Sequence, residues 1–147
     1  MATIAQICDA IESTLDDVTA IKRSQKFSEL TEDFADLPLL QVYPDSAETD
    51  ALSNNDRHTF KGVRRITDAV IICDIPCKQR SHLGEDMNVM VTVTDAVIAK
   101  LEAQTTSLFG NADIKGFHWR WERVTFSRGN PEIAYVGVRF TITVKSF

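Results

Sequence analysis

Hydrophobic and polar residues alternate most regularly at the end of the chain, over residues 117–147. Phe117, Trp119 and Trp121 fall on one side of an extended backbone, with His118, Arg120 and Glu122 on the other. After Ser127, Arg128, Gly129, Asn130 and Pro131 the alternation resumes, with Val136, Val138, Phe140, Ile142 and Val144 on one side. Tyr135, Gly137, Arg139, Thr141 and Thr143 take the other. A period of two sustained this long predicts half-buried antiparallel strands, and the Gly-Asn-Pro cluster supplies the reversal. The expected strands are 117–126 and 133–145, forming a long C-terminal hairpin whose apolar side needs a cover.

The period changes to helical in two other stretches. Ile4, Ile7, Cys8, Ile11, Leu15 and Val18 recur along one face, while Asp9, Glu12 and Asp16 lie on the other, which predicts a helix over 4–18. Thr3 and Gln6 have the spacing of a capping box at its start. Met87, Met90, Val91, Thr94, Val97, Ile98 and Leu101 predict a second helix over 85–104, with Glu85 and Asp86 near its positive end and Lys100 near the other.

Between the helices, residues 39–43 read as a strand stopped by Pro44. Residues 63–76 read as a central strand, because Val70, Ile71, Ile72, Cys73 and Ile75 are apolar on both sides. Residues 20–27 have the makings of a short strand, and 28–36 of one or two helical turns before Leu37-Pro38. Lys78 to Glu85 reads as a polar turn. Residues 45–61 lack apolar periodicity and predict a long flexible loop. The fold class expected is α+β, a mainly antiparallel sheet with two helices packed on one face and the long hairpin at its end. The other face is then left for water or another subunit.

Composition narrows the picture. The chain has 147 residues, 44% hydrophobic and 25% charged, which fits a single globular domain over 1–147. No apolar run approaches the ~20 residues of a membrane span. Met1 to Gln6 lacks the basic start and apolar block of a signal peptide, so a cytoplasm-like compartment is expected. Three cysteines cannot all pair with one another, which argues against a secreted disulfide framework. A net charge of −5 disfavours a main task of gripping nucleic acid.

Candidate chemistry is sparse. Cys73, Cys77 and His82 hint at a metal site, but no second ligand pair follows them. Cys77 with His82 or with His118 is the nearest approach to a nucleophilic pair, and nothing local would activate the thiol. The six glycines are isolated, and no phosphate-cradling loop is present. No catalytic, cofactor or metal site is expected, and the chain reads as an assembly component rather than an enzyme. Trp119-Arg120-Trp121, with Arg123 and Arg128, keeps open a nucleic-acid-binding accessory protein.

The layout as a whole resembles the tail terminator (tail-completion, minor tail) proteins of long-tailed bacteriophages, in the lambda-like family. The resemblance is carried by the opening helix, Leu-Pro-Leu-Leu-Gln-Val-Tyr-Pro at 37–44, the polar loop, and Ala-Val-Ile-Ile-Cys-Asp-Ile at 69–75. The helix at 85–104, the Trp-rich strand and Tyr-Val-Gly-Val-Arg-Phe-Thr-Ile-Thr-Val at 135–144 complete it. The resemblance implies a virion protein, assembled in the bacterial cytoplasm, that forms a homo-oligomeric ring of six on the head-proximal end of the tail tube. Such a ring ends tube polymerisation and presents the head-to-tail joining surface. Its partners would be other copies of itself, the tail tube protein and the head–tail connector protein, with DNA passing unbound through an acidic channel and no membrane involved. A head-side connector or neck completion protein is the neighbouring alternative. The residues expected at subunit or tube contacts are Asp45, Glu48, Asp50, Arg57, Phe60, Lys61, Arg64, Arg65, Trp119, Trp121 and Arg128.

Overall fold

A computed structural model describes residues 3–30, 36–50, 66–105, 108–128 and 132–146. Among these, the first helix, α1, spans Ile4–Asp16. Its capping box is formed: Thr3 Oγ1 accepts from the Gln6 N–H at 3.2 Å, and Gln6 Oε1 accepts from the Thr3 N–H at 2.9 Å. Two orphan donors of the first turn are satisfied in this way. Ile7, Cys8, Ile11 and Leu15 form the buried stripe. The helix ends two residues before Val18, at Asp16-Asp17, where carboxylates meet the negative end of the helix dipole. Val18 and Ile21 are still buried as the chain turns beneath the helix.

Five strands follow: β1 (Arg23–Gln25), β2 (Leu39–Asp50), β3 (Ile66–Gln79), β4 (Ile114–Arg128) and β5 (Ile133–Ser146). The second helix, α2 (Leu83–Glu102), connects β3 to β4 through a short turn at Leu108–Gly110. The strands form one sheet in the order β1-β2-β3-β5-β4. Only β1 runs parallel to its neighbour; the other pairings are antiparallel. The expected α+β architecture and closing hairpin are present.

Other boundaries also differ from expectation. Pro44 does not stop β2. Pro44 stays in register opposite Ile71, and the register shifts just after it, leaving Asp45 as the extra residue of a bulge; proline is accommodated in strands beside such bulges and at edges. Residues 46–50 then pair with 66–70, so the first part of the expected loop at 45–61 is strand, and its remainder lies outside the described residues. A second bulge between Pro76 and Lys78 lets β3 continue through Lys78 and Gln79, which were expected to turn. Helix α2 begins at Leu83, with His82 as an N-cap residue that makes no side-chain capping bond, and Asp86 ties the preceding turn to the helix. The Asp86 carboxylate accepts from the Ser81 N–H at 3.1 Å and from Lys78 Nζ at 2.9 Å. The Lys78 hydrogen bond holds that carboxyl below its ordinary range. In the segment expected as helical turns, residues 27–29 form a simple turn closed by the Glu29 N–H to Lys26 O at 2.8 Å, and 31–35 lie outside the described residues.

Cross-strand register assigns the faces. Ile71 opposes Ile142, Cys73 opposes Phe140, and Ile75 opposes Val138, and all six are buried with α1 and α2 in one core. Both helices therefore cover the same face, which Met90, Val93, Val97 and Leu101 seal from α2. The opposite face carries Tyr43, Ile72, Asp74, Arg139 and Thr141, in register across β2, β3 and β5.

Candidate assembly surface

The helix-free face is polar but not loose. Arg139 donates to Asp74 through Nε at 2.7 Å and Nη2 at 3.2 Å, and the Tyr43 hydroxyl donates to Asp74 Oδ2 at 2.6 Å. Asp74 is buried, and this fork of donors is what allows a carboxylate to sit in mid-sheet. The same geometry pushes Tyr43 up to about 12, through burial first and the Asp74 hydrogen bond second. The hydrogen bond to Asp74 likewise raises the Arg139 guanidinium, which keeps its charge fixed.

Beside this cluster lies a shallow hollow of about 450 Å³, floored by Val70 and Thr143 and rimmed by Ser46, Glu48, Asp68 and His118. Glu48 and Asp68 are direct cross-strand partners, an unfavourable like-charge pair. Lys145, next in the row, reaches Asp68 Oδ1 only at 3.9 Å, and that oxygen accepts no hydrogen bond among the described residues. At the far end of the face, Leu39 and Phe126 form a small apolar cluster with Leu37, Val124 and Tyr135. Gly137 makes it possible. A Cβ there would lie 2.6 Å from the Phe126 ring and would clash with the Ile75 carbonyl oxygen.

The two tryptophans are elsewhere. Trp119 opposes Ile142 and Trp121 opposes Phe140, so both project to the helix-bearing side of β4, and the bare face does not carry them. The face left for water or another subunit therefore carries Phe126 and Tyr135 without the two tryptophans. The cause is parity: Phe140 and Ile142 are core residues, and their direct partners must share their side. Trp119 is half-buried with its ring centroid 6.0 Å from that of Phe140, whereas Trp121 is 42% exposed. Arg120 points to the opposite face, so a nucleic-acid strand stacked on the tryptophans would not meet that guanidinium on the same surface.

The predicted contact residues separate into two groups. Asp45 and Glu48 lie on the outer part of β2, within an exposed run at 44–48, and Asp50 ends that strand. Trp119, Trp121 and Arg128 lie on β4 at the opposite edge, where residues 120–123 are also exposed. Three strand spacings, roughly 14 Å, separate the edges. Arg57, Phe60, Lys61, Arg64 and Arg65 lie outside the described residues. Sequence reasoning missed the Tyr43–Asp74–Arg139 cluster; the polar Asp74 inside an otherwise apolar strand was its one visible signal.

The cysteines have a structural character. Cys8, Cys73 and Cys77 are buried free thiols. Burial pushes Cys8 up to about 11 and Cys77 up to about 12, and raises Cys73 as well, so thiolate is scarce at neutral pH. Among the described residues no three His, Cys, Asp or Glu side chains converge as metal ligands. No helix among them is long and apolar enough to cross a membrane. The sequence matches no family model and no curated protein.

Proposed function

We propose that this chain is a structural virion subunit that assembles into a ring on the head-proximal end of a phage tail tube, ends tube growth and offers the surface for head joining. The supporting observation is the placement of its two exposed edge runs. A closed ring of identical subunits needs two different, mutually complementary patches on each copy. The sheet presents one at β2, with Asp45 and Glu48, and another at β4, with Arg120 and Arg123. The sequence layout that resembles tail terminators supplies the specific assignment. A channel of acidic balance would let DNA slide without adhering.

Electron microscopy of the purified protein, alone and with tail tubes, tests the proposal. Closed rings seated at one end of the tubes are expected. In a phage carrying a null allele, tails of irregular length that fail to join heads are expected. Tails of normal length that remain separate from heads would instead favour a head-side connector. Normal tails joined normally would leave the proposal without support.

A further inference from the structure

We infer that neighbouring copies join by strand addition, the outer edge of β4 in one copy pairing antiparallel with the outer edge of β2 in the next. This contact deepens the ring reading and rests on it. An open edge strand is a template for another chain, and charged residues normally keep it from pairing indiscriminately. Here the two edges carry opposite charges. Residues 44–48 hold two carboxylates and no cation, and 120–123 hold two guanidiniums and one carboxylate. Among the described residues no strand pairs with the outer side of β4, and β1 covers β2 only at residues 39–41.

Topology sets the direction. β2 runs with β5 and against β3, whereas β4 runs against β5. Two copies related by rotation about an axis along the strands thus bring β2 and β4 together antiparallel, the more stable kind of ladder.

The faces then set the register. The helix-bearing sides must stay aligned, so Glu48, on the helix-free side, can oppose only even-numbered residues of β4. Opposite Glu122 it would meet a like charge. Opposite His118 the register would place Asp45 against Trp121. Opposite Arg120 every neighbour fits: Ser46 faces Glu122 and can donate to it, Ala47 leaves room for the exposed Trp121, and Asp45 comes level with Arg123 at the bulge. The arrival of Arg120 beside Glu48 also relieves the Glu48–Asp68 opposition, which Lys145 answers from one side only. Among the described residues of one copy, Arg120 has only a long contact with Glu122, at 3.9 Å.

Full-length Ala47→Cys and Trp121→Cys proteins, made separately and mixed under mild oxidation, test the contact. The native thiols are buried, which keeps background cross-linking low. A disulfide joining the two variants is expected, in large excess over homodimers of either. As a check that keeps Trp121, Glu48→Arg and Arg120→Glu singly should each reduce assembly at least tenfold, and the two changes in one chain should restore it. Homodimers of Trp121→Cys alone would place β4 against β4 and overturn the proposal. Rings in micrographs without the 47–121 disulfide would overturn this contact and leave the ring reading standing. The disulfide in open chains that never cap tubes would support the contact and count against the ring reading. Neither assemblies nor the disulfide would overturn the contact, and tube binding by the monomer would then decide the reading.

Discussion

The two faces of the sheet are held by different physics. On the helix-bearing side, Ile71, Cys73, Ile75, Val138, Phe140 and Ile142 are all essentially sealed from water, and α1 and α2 lie across them. On the other side the middle of the sheet depends on one carboxylate, Asp74, shared by Arg139 and Tyr43. Apolar burial scales with area and tolerates imperfect geometry, whereas a buried carboxylate is tolerated only while its donors stay in place. A sheet built this way has one side that makes the fold and another that stays wettable. That second side can line a channel or meet a partner without needing a second layer.

The largest effect should come from the covered face. Phe140→Ala removes a fully buried ring that Trp119 and the helices pack around. A loss of about 3–5 kcal/mol is expected from denaturant unfolding. A loss under ~1 kcal/mol would mean that the helices do not seal this face.

On the bare face, Asp74→Ala should cost about 1–3 kcal/mol, because it strands Arg139 and the Tyr43 hydroxyl. The figure is held below that of a dry ion pair because the Arg139 side chain is 34% exposed, and water screens it. A double-mutant cycle with Arg139→Met isolates the pair. A coupling near zero there would show that the cluster is cosmetic and that this face is stabilised by its backbone ladder alone.

The same cluster gives the bare face an alkaline signature. Tyr43 is raised from its ordinary value of 10.0 to about 12, so its neutral form is favoured by folding. Its contribution is therefore complete below pH 10 and is lost as pH rises towards 12. Unfolding midpoints across that window should fall less steeply for Tyr43→Phe than for the unaltered protein. Parallel curves would remove the hydroxyl from the account.

How much of this was legible follows the same division. The covered face announces itself through periodicity: the hairpin alternation, the apolar stripe of α1 and its Thr3–Gln6 box all became the elements expected. Strand β2 was only half legible. Its outer residues are polar because they sit at an exposed edge, so Asp45, Ser46 and Glu48 read as loop, and Pro44 read as a stop until the bulge accommodated it. β1 is three residues long, too short for any period to show. The contact residues were recognisable singly by their charge or ring. Their division between two edges depends on strand order, which is set by long-range pairing and leaves no local trace. The side taken by Trp119 and Trp121 was readable in principle, since the partners of Phe140 and Ile142 must share their face.

The smallest effect on the fold belongs to the edges, and it separates them most sharply from both faces. The Arg120 side chain is 68% exposed, and its long contact with Glu122 contributes little in water. Arg120→Glu should therefore shift the unfolding free energy of the monomer by no more than ~0.5 kcal/mol. It places a second carboxylate two residues from Glu122 on the same side of β4, a repulsion that salt should largely screen. Light scattering on the same samples should report the loss of assembled species. The contrast with Phe140→Ala is the point of the measurement. A residue that matters to assembly but not to folding must act through a surface that is wet in the monomer. If Arg120→Glu instead destabilised the monomer by more than ~1 kcal/mol, the edge of β4 would already be engaged within the subunit, and strand addition there would lose its physical basis.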